Sequence, residues 1–322
     1  MRRLGASRQA LCVLATLCAL LVAPPPGFAA EPATFPPAPV APAPGAPGAP
    51  AEPTAGYQFA TGKTTLYAYD LTQDVSWQSA GDTLNYHSTV GWEFSLSPQL
   101  VTPTRCELSV VILHLTASQN GPAGNHAVDS RLPVDRNGRD DPLLGHLLAL
   151  DGAQLTVVLD PRSGVVAAVR GGEEIVKRIN QRFPAAIEGD LPPLDASSRE
   201  AYGPASLARL WSGLLALPGP AGEAQRVPLG APLPGELERR WQGQRYTLSL
   251  PPGTSHLDGT LLLDPTPVTV SISELAGGGE CSPRGGLPFT TGGELRYLIT
   301  YSALTQPVVQ RHQLRWSLRQ GR

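Results

Sequence analysis

Tyr67-Ala68-Tyr69-Asp70-Leu71-Thr72-Gln73-Asp74-Val75-Ser76-Trp77 is the stretch whose reading decides the fold. Tyr67, Tyr69, Leu71, Val75 and Trp77 hold odd positions, with Asp70, Thr72, Asp74 and Ser76 between them. Successive side chains of an extended chain point to opposite faces, so a period of two marks a strand with one buried face. Ala80-Gly81-Asp82 then supplies turn chemistry. Beyond it Leu84, Tyr86, Val90, Trp92, Phe94 and Leu96 hold even positions, and the two runs read as a long hairpin. A third run, Arg105 to Thr116, carries Leu108, Val110 and Ile112 on one face and Val111, Leu113 and Leu115 on the other. Apolar residues on both faces predict a central strand.

Further along the chain the period changes. Leu143, Leu144, Leu147, Leu148 and Leu150 predict a short helix packed on the sheet. Leu155–Leu159 and Val165–Val169, joined through Asp160-Pro161-Arg162-Ser163-Gly164, read as a tighter hairpin. Ile175, Ile179 and Phe183 are spaced by four and predict an amphipathic helix that Pro184 closes. Leu207, Leu210, Trp211, Leu214 and Leu215 fit another helix, and the prolines from Pro218 to Pro234 argue against regular structure beyond it. Alternation resumes near Leu237 and recurs at Tyr246–Leu250, Val268–Ile272, Leu295–Tyr301 and Leu314–Leu318. The fold class expected is β-rich α+β: long antiparallel curved sheets, up to an incomplete barrel, with a few covering helices. Two β subregions, 56–183 and 236–320, would be joined by an irregular proline-rich segment within one β-rich domain, 56–322. The intervening helices argue against an outer-membrane barrel.

Toward the N-terminus the chain reads differently. Arg2, Arg3 and Arg8 precede an apolar run from Ala10 to Ala23, then Pro24-Pro25-Pro26 and the small-residue site Gly27-Phe28-Ala29. This is the order of a secretory signal peptide, 1–29, and predicts a periplasmic or secreted protein. The run is shorter than the ~20 residues of a spanning helix; the alternative is a retained N-terminal anchor. Cys12 and Cys18 follow Leu11 and Leu17 rather than small residues, a poor fit to a lipoprotein signal. Residues 30–55 are a Pro/Ala-rich linker without periodicity, suited to extended polyproline II. The net charge of -2 leaves no electrostatic footprint for nucleic acid, and the mature chain shows no integral membrane segment.

Cys106 and Cys281 remain once the signal is removed. In an oxidising compartment they either pair as a disulfide or stay as two separate buried thiols. His87, His114, His126, His146, His256 and His312 show no i, i+2 or i, i+4 spacing of a metal site. His114 shares the face of Ile112 and reads as a satisfied, partly buried histidine. In Asp135-Arg136-Asn137-Gly138-Arg139-Asp140-Asp141, Arg139 takes the slot that a calcium ligand would need, so a solvated turn is expected. No G-x-S-x-G, G-x-G-x-x-G or phosphate-loop motif occurs, and nothing calls for a cofactor or metal. Gly277-Gly278-Gly279 and Gly285-Gly286 read as a flexible loop about Cys281. No catalytic residue stands out.

Gly62 with Tyr67, Trp92-Glu93-Phe94, Asp151-Gly152 leading to Leu159-Asp160-Pro161, Gly164-Val165-Val166, the Gly171 helix and Leu233-Pro234 before Trp241 resemble a family of secreted proteins from planctomycete-type bacteria, the DUF6263 type. The resemblance covers about residues 57 to 318 and departs at the proline-rich junction and at the glycines around Cys281. It implies no activity, cofactor or site residue. The expected role is a non-enzymatic envelope protein, a binding or structural β domain. The alternative is a carrier of a hydrophobic or lipid ligand in a curved sheet, with Tyr67, Tyr69, Trp92 and Phe94 ringing the cavity; a carboxylate-dependent hydrolase is a third class.

Overall fold

The strand Thr65–Ser79 (β1) buries Tyr67, Tyr69, Leu71, Gln73, Val75 and Trp77, each at 7% exposure or less, and turns the residues between them outward. The computed structural model describes residues 59–321, apart from 80, 123, 133–143, 162–163, 165, 183–201, 216–221, 223, 230–234, 264–265, 285–286 and 302–307. The expected signal peptide, the linker and the acidic turn 135–141 lie outside the described residues.

Twelve strands follow β1: Asp82–Val101 (β2), Cys106–Gly121 (β3), Gly124–Asp129 (β4), Gln154–Leu159 (β5), Val166–Arg170 (β6), Ala224–Pro228 (β7), Glu236–Gln242 (β8), Arg245–Ser249 (β9), Leu257–Leu263 (β10), Thr266–Arg284 (β11), Leu287–Tyr301 (β12) and Val308–Gln320 (β13). They form one open, curved antiparallel sheet of order β6-β5-β3-β2-β1-β13-β12-β11-β9-β8-β7, with β4 beside β3 and β10 beside β11. The two expected β subregions therefore share a sheet. The seam is β1 against β13, in unbroken register from Tyr67↔Gln320 to Gln78↔Val309. Long strands twist, and a wide twisted sheet curls, so its buried face is the concave one.

Two bulges shape that curl. The β2–β3 register steps from Glu93↔His114 to Phe94↔Ile112, which leaves Leu113 as the extra residue. Facing therefore reverses along β3: Ile112 and Leu115 are both buried, while Leu113 is 46% exposed. The two-faced apolar pattern of this strand is the signature of the bulge, and His114 faces away from Ile112, contrary to the expectation from simple alternation. β11 repeats the device between Ser273 and Ala276, with Glu274 at a positive φ of 52°. At each bulge the outer neighbour changes, from β5 to β4 along β3 and from β10 to β9 along β11.

The covering elements are a 3-10 turn at Gly145–Leu150, helix α1 (Gly172–Arg182) and helix α2 (Pro204–Leu214). Glu173 and Glu174 occupy the first turn of α1, where the helix dipole favours negative charge. Proline at the start of α2 suits a position whose N–H has no intrahelical partner. From α2, Trp211 packs edge-on against Phe94 of β2 with centroids 5.2 Å apart. None of the helices of the described residues is long and apolar enough to cross a membrane.

Two expectations are corrected, and one open alternative is decided. Gly277-Gly278-Gly279 is not a loop but lies inside β11, between β9 and β12. Regular structure does extend past α2, because β7 pairs with β8. Cys106 and Cys281 form no disulfide; both thiols are buried. They sit on β3 and β11 with four strands between them. At ~4.8 Å per strand this is ~24 Å along the sheet, against the ~7 Å that a disulfide tolerates between alpha carbons.

Candidate functional site

Tyr67, Tyr69, Trp92 and Phe94 do come together, because register pairs Tyr67 with Phe94 and Tyr69 with Trp92. The first pair stacks at 5.4 Å and the second tilts at 5.6 Å. All four are buried, and Phe94 also packs against Trp211. Burial pushes the phenols of Tyr67 and Tyr69 upward, so both remain protonated donors.

A second group occupies the same face nearer the far end of β1. His312 of β13 is fully buried and stacks on Tyr297 of β12, centroids 4.7 Å apart. Gln73 Nε2 donates to His312 Nδ1 at 3.1 Å. An amide nitrogen can only donate, so Nδ1 carries the lone pair and the proton sits on Nε2. That Nε2–H donates to Gln310 Oε1 at 2.9 Å, and Tyr301 Oη donates to the same oxygen at 3.1 Å. Desolvation holds the His312 pKa down at about 3, the neutral form that this network requires. Trp77, opposite Gln310 in register, stacks on Tyr301 at 6.5 Å.

The third group lies where β8 and β9 meet β11. Arg239 of β8 shares the buried face with Leu237 and Trp241, two residues away on either side. Its guanidinium carbon is 5.3 Å from the Trp241 ring centre and 5.9 Å from that of Tyr246. Gln225 Oε1 accepts from Arg239 Nη2 and from Trp241 Nε1, each at 3.2 Å. The Tyr246 ring reaches this place because β11 and β12 carry glycines beneath it. A Cβ on Gly279 would lie 2.6 Å from the Tyr246 hydroxyl, and one on Gly293 would lie 2.9 Å from it.

Across these groups the polar tips share one property. Tyr67 Oη, Trp77 Nε1, Trp92 Nε1, Trp211 Nε1, Arg239 Nε, Tyr297 Oη and Gln310 Nε2 are buried, and none has a hydrogen-bond partner among the described residues. All seven can donate, and the indole, amide and guanidinium nitrogens can do nothing else. Among the described residues the amide oxygen Gln119 Oε1 is buried without a partner as well. The alternation of the aromatics was legible in the sequence. The donor surplus was not, since it appears only when strands hundreds of residues apart are laid side by side.

The outer face carries ordinary polar chemistry. His114 lies between Glu93, at 3.2 Å from Nδ1, and Asp129, at 2.7 Å from Nε2, and Arg131 closes on Glu93. This bears out a satisfied histidine, 12% exposed. A shallow cavity of about 420 Å³ is lined by Asp74, Asn85, His87 and Asn120 with Val75, Tyr86 and Gly121, and includes none of the four predicted aromatics.

No protein-family model matches the chain, and no curated protein does. Among solved structures, the chain is similar to lipovitellin, in a structure concerned with lipid–protein interactions, at TM-score 0.41 and 9% identity over 82% of this chain. It spans about a quarter, 26%, of that protein's chain. It is also similar to an outer membrane channel from Pseudomonas putida F1, at TM-score 0.23 and 10% identity, covering 84% of this chain and all of that one.

Proposed function

We propose that this chain is an exported binding domain that holds an amphiphile, an apolar body bearing hydrogen-bond acceptors, on the concave face of its sheet. The observation that carries the reading is the set of seven buried donors without acceptors. Buried polar groups in native proteins are paired in the great majority of cases. Each orphan costs about 1–3 kcal/mol, so seven together rival the ~5–15 kcal/mol by which a domain is stable at all. A purely structural domain gains nothing from such a surface. A ligand whose esters, carboxylates or phosphates accept from indole, phenol and amide donors converts that cost into affinity. The aromatic bodies of Tyr67, Trp77, Trp92 and Tyr297 supply the apolar contact. The expected export to the periplasm or beyond places the domain among envelope lipids.

Tryptophan fluorescence tests this, because Trp77, Trp92 and Trp241 of the sheet and Trp211 of α2 are all buried. A lipid brominated along its acyl chain is expected to quench the emission saturably, and its unbrominated analogue to compete. Emission indifferent to both, with the protein shown folded, would overturn the proposal.

A further inference from the structure

We infer that the ligand is a long-chain monoanion whose carboxylate head seats on Arg239, an assignment that rests on the amphiphile reading above and names the chemistry of its head group. Several outward-facing arginines have carboxylates beside them: Arg105 has Glu107, Arg240 has Glu238 and Arg319 has Asp70. Arg239 differs. It lies on the buried face, and no carboxylate pairs with it among the described residues.

Its guanidinium has five N–H donors, yet among the described residues the one acceptor it meets is the neutral Gln225 Oε1, and Nε is buried without any. The groups nearest in charge offer no counter-ion. Burial raises the Tyr246 phenol to about 12 and pushes the Cys281 thiol up as well, so both stay neutral. Burial also draws the guanidinium's own pKa down, a direct sign of the cost of desolvating it. Arg239 is part-buried with its Nε cut off from water, and a desolvated cation without a counter-charge is poorly tolerated in a protein interior. The Trp241 and Tyr246 rings hold it by cation–π attraction, which fixes its plane but neutralises nothing.

A carboxylate is the partner that the site fits. A planar guanidinium fork matches two coplanar oxygens, and one uncompensated charge calls for one negative charge. The rest of the ligand follows the same surface. From Trp241 and Tyr246 the buried face runs on through β11 and β12 to Tyr297, His312 and Trp77, an aromatic bed for an acyl chain.

The test uses the full processed chain with three probes: oleate, oleyl alcohol and phosphatidylglycerol vesicles. A charge-assisted hydrogen bond is worth roughly 1.5–3 kcal/mol, so oleate is expected to bind at least about tenfold tighter than oleyl alcohol. Arg239→Gln is expected to erase that preference. Arg239→Lys, which keeps the charge but loses the fork, is expected to retain part of it. Circular dichroism confirms that each variant is folded. Equal binding of oleate and oleyl alcohol to the wild type, or a preference that survives in Arg239→Gln, overturns the head-group assignment while leaving the amphiphile reading standing. Tighter binding of phosphatidylglycerol than of oleate overturns the carboxylate in favour of a phosphodiester. Failure of all three probes to bind overturns the amphiphile reading itself. Should Arg239→Gln not fold, the comparison of oleate with its alcohol in the wild type and in Arg239→Lys still decides.

Discussion

Acidification from pH 7.5 to 5 removes about 2 kcal/mol of stability through His312. The ring is fully buried, and its two nitrogens are committed to Gln73 and Gln310 in the neutral form. Protonation would place a second donor against the Gln73 amide and a charge in the core. The folded pKa is about 3, against 6.5 for a free imidazole. Because the folded value is depressed, the unfolded chain takes up the proton first. The contribution is fully present above pH 6.5 and is lost as the pH falls from there toward 3. Each pH step within that window costs ~1.36 kcal/mol, so about 2 kcal/mol disappears between pH 6.5 and 5. Urea unfolding of the wild type and of His312→Gln at both pH values isolates the effect, since every other titrating group is common to the two proteins. The variant is expected to be weaker throughout but to lose about 2 kcal/mol less than the wild type on acidification. Parallel losses in the two proteins would refute the buried neutral histidine and the donor-rich network built on it.

Other consequences follow from the same packing. Phe94→Ala removes a side chain that is 1% exposed and wedged between Tyr67 and Trp211; chemical denaturation should show a loss of about 3–5 kcal/mol. Gly279→Ala would set a Cβ 2.1 Å from the Gly292 carbonyl oxygen and 2.6 Å from the Tyr246 hydroxyl. It is expected to cost about 1–3 kcal/mol by overpacking, visible as a lowered thermal midpoint and altered Trp241 emission. Burial raises Cys106 to about 12 and raises Cys281 too, so neither thiol should react with a thiol reagent at pH 8 in the native protein. Two should react after denaturation without reductant, and a count of zero would restore the disulfide.

The hairpin of β1 and β2 was open to reading because its apolar residues keep one parity for most of its length. Helix α1 was also legible from Ile175 and Ile179, both of which it buries. Parity failed at β3, where a bulge at Leu113 reverses facing in mid-strand; the apolar residues on both faces were the visible trace of it. The glycines of β11 misled for a different reason. Glycine favours loops by its own backbone freedom, but here Tyr246 lies over Gly279 and Gly293 and takes the place of the missing side chains. The seam of β1 with β13 joins residues some 240 positions apart, and no local pattern announces it. The candidate site shared that fate. Tyr67, Tyr69, Trp92 and Phe94 were recognisable as one aromatic face, whereas the unpaired charge of Arg239 and the excess of donors exist only in the assembled sheet.

Native mass spectrometry of the protein purified from its own envelope probes the donor-rich interior most directly. A population heavier than the bare chain is expected, which releases a single class of long-chain acidic amphiphile on denaturation. A chain found at its bare mass under conditions that preserve lipid adducts, and whose denatured extract holds no amphiphile, would contradict the account.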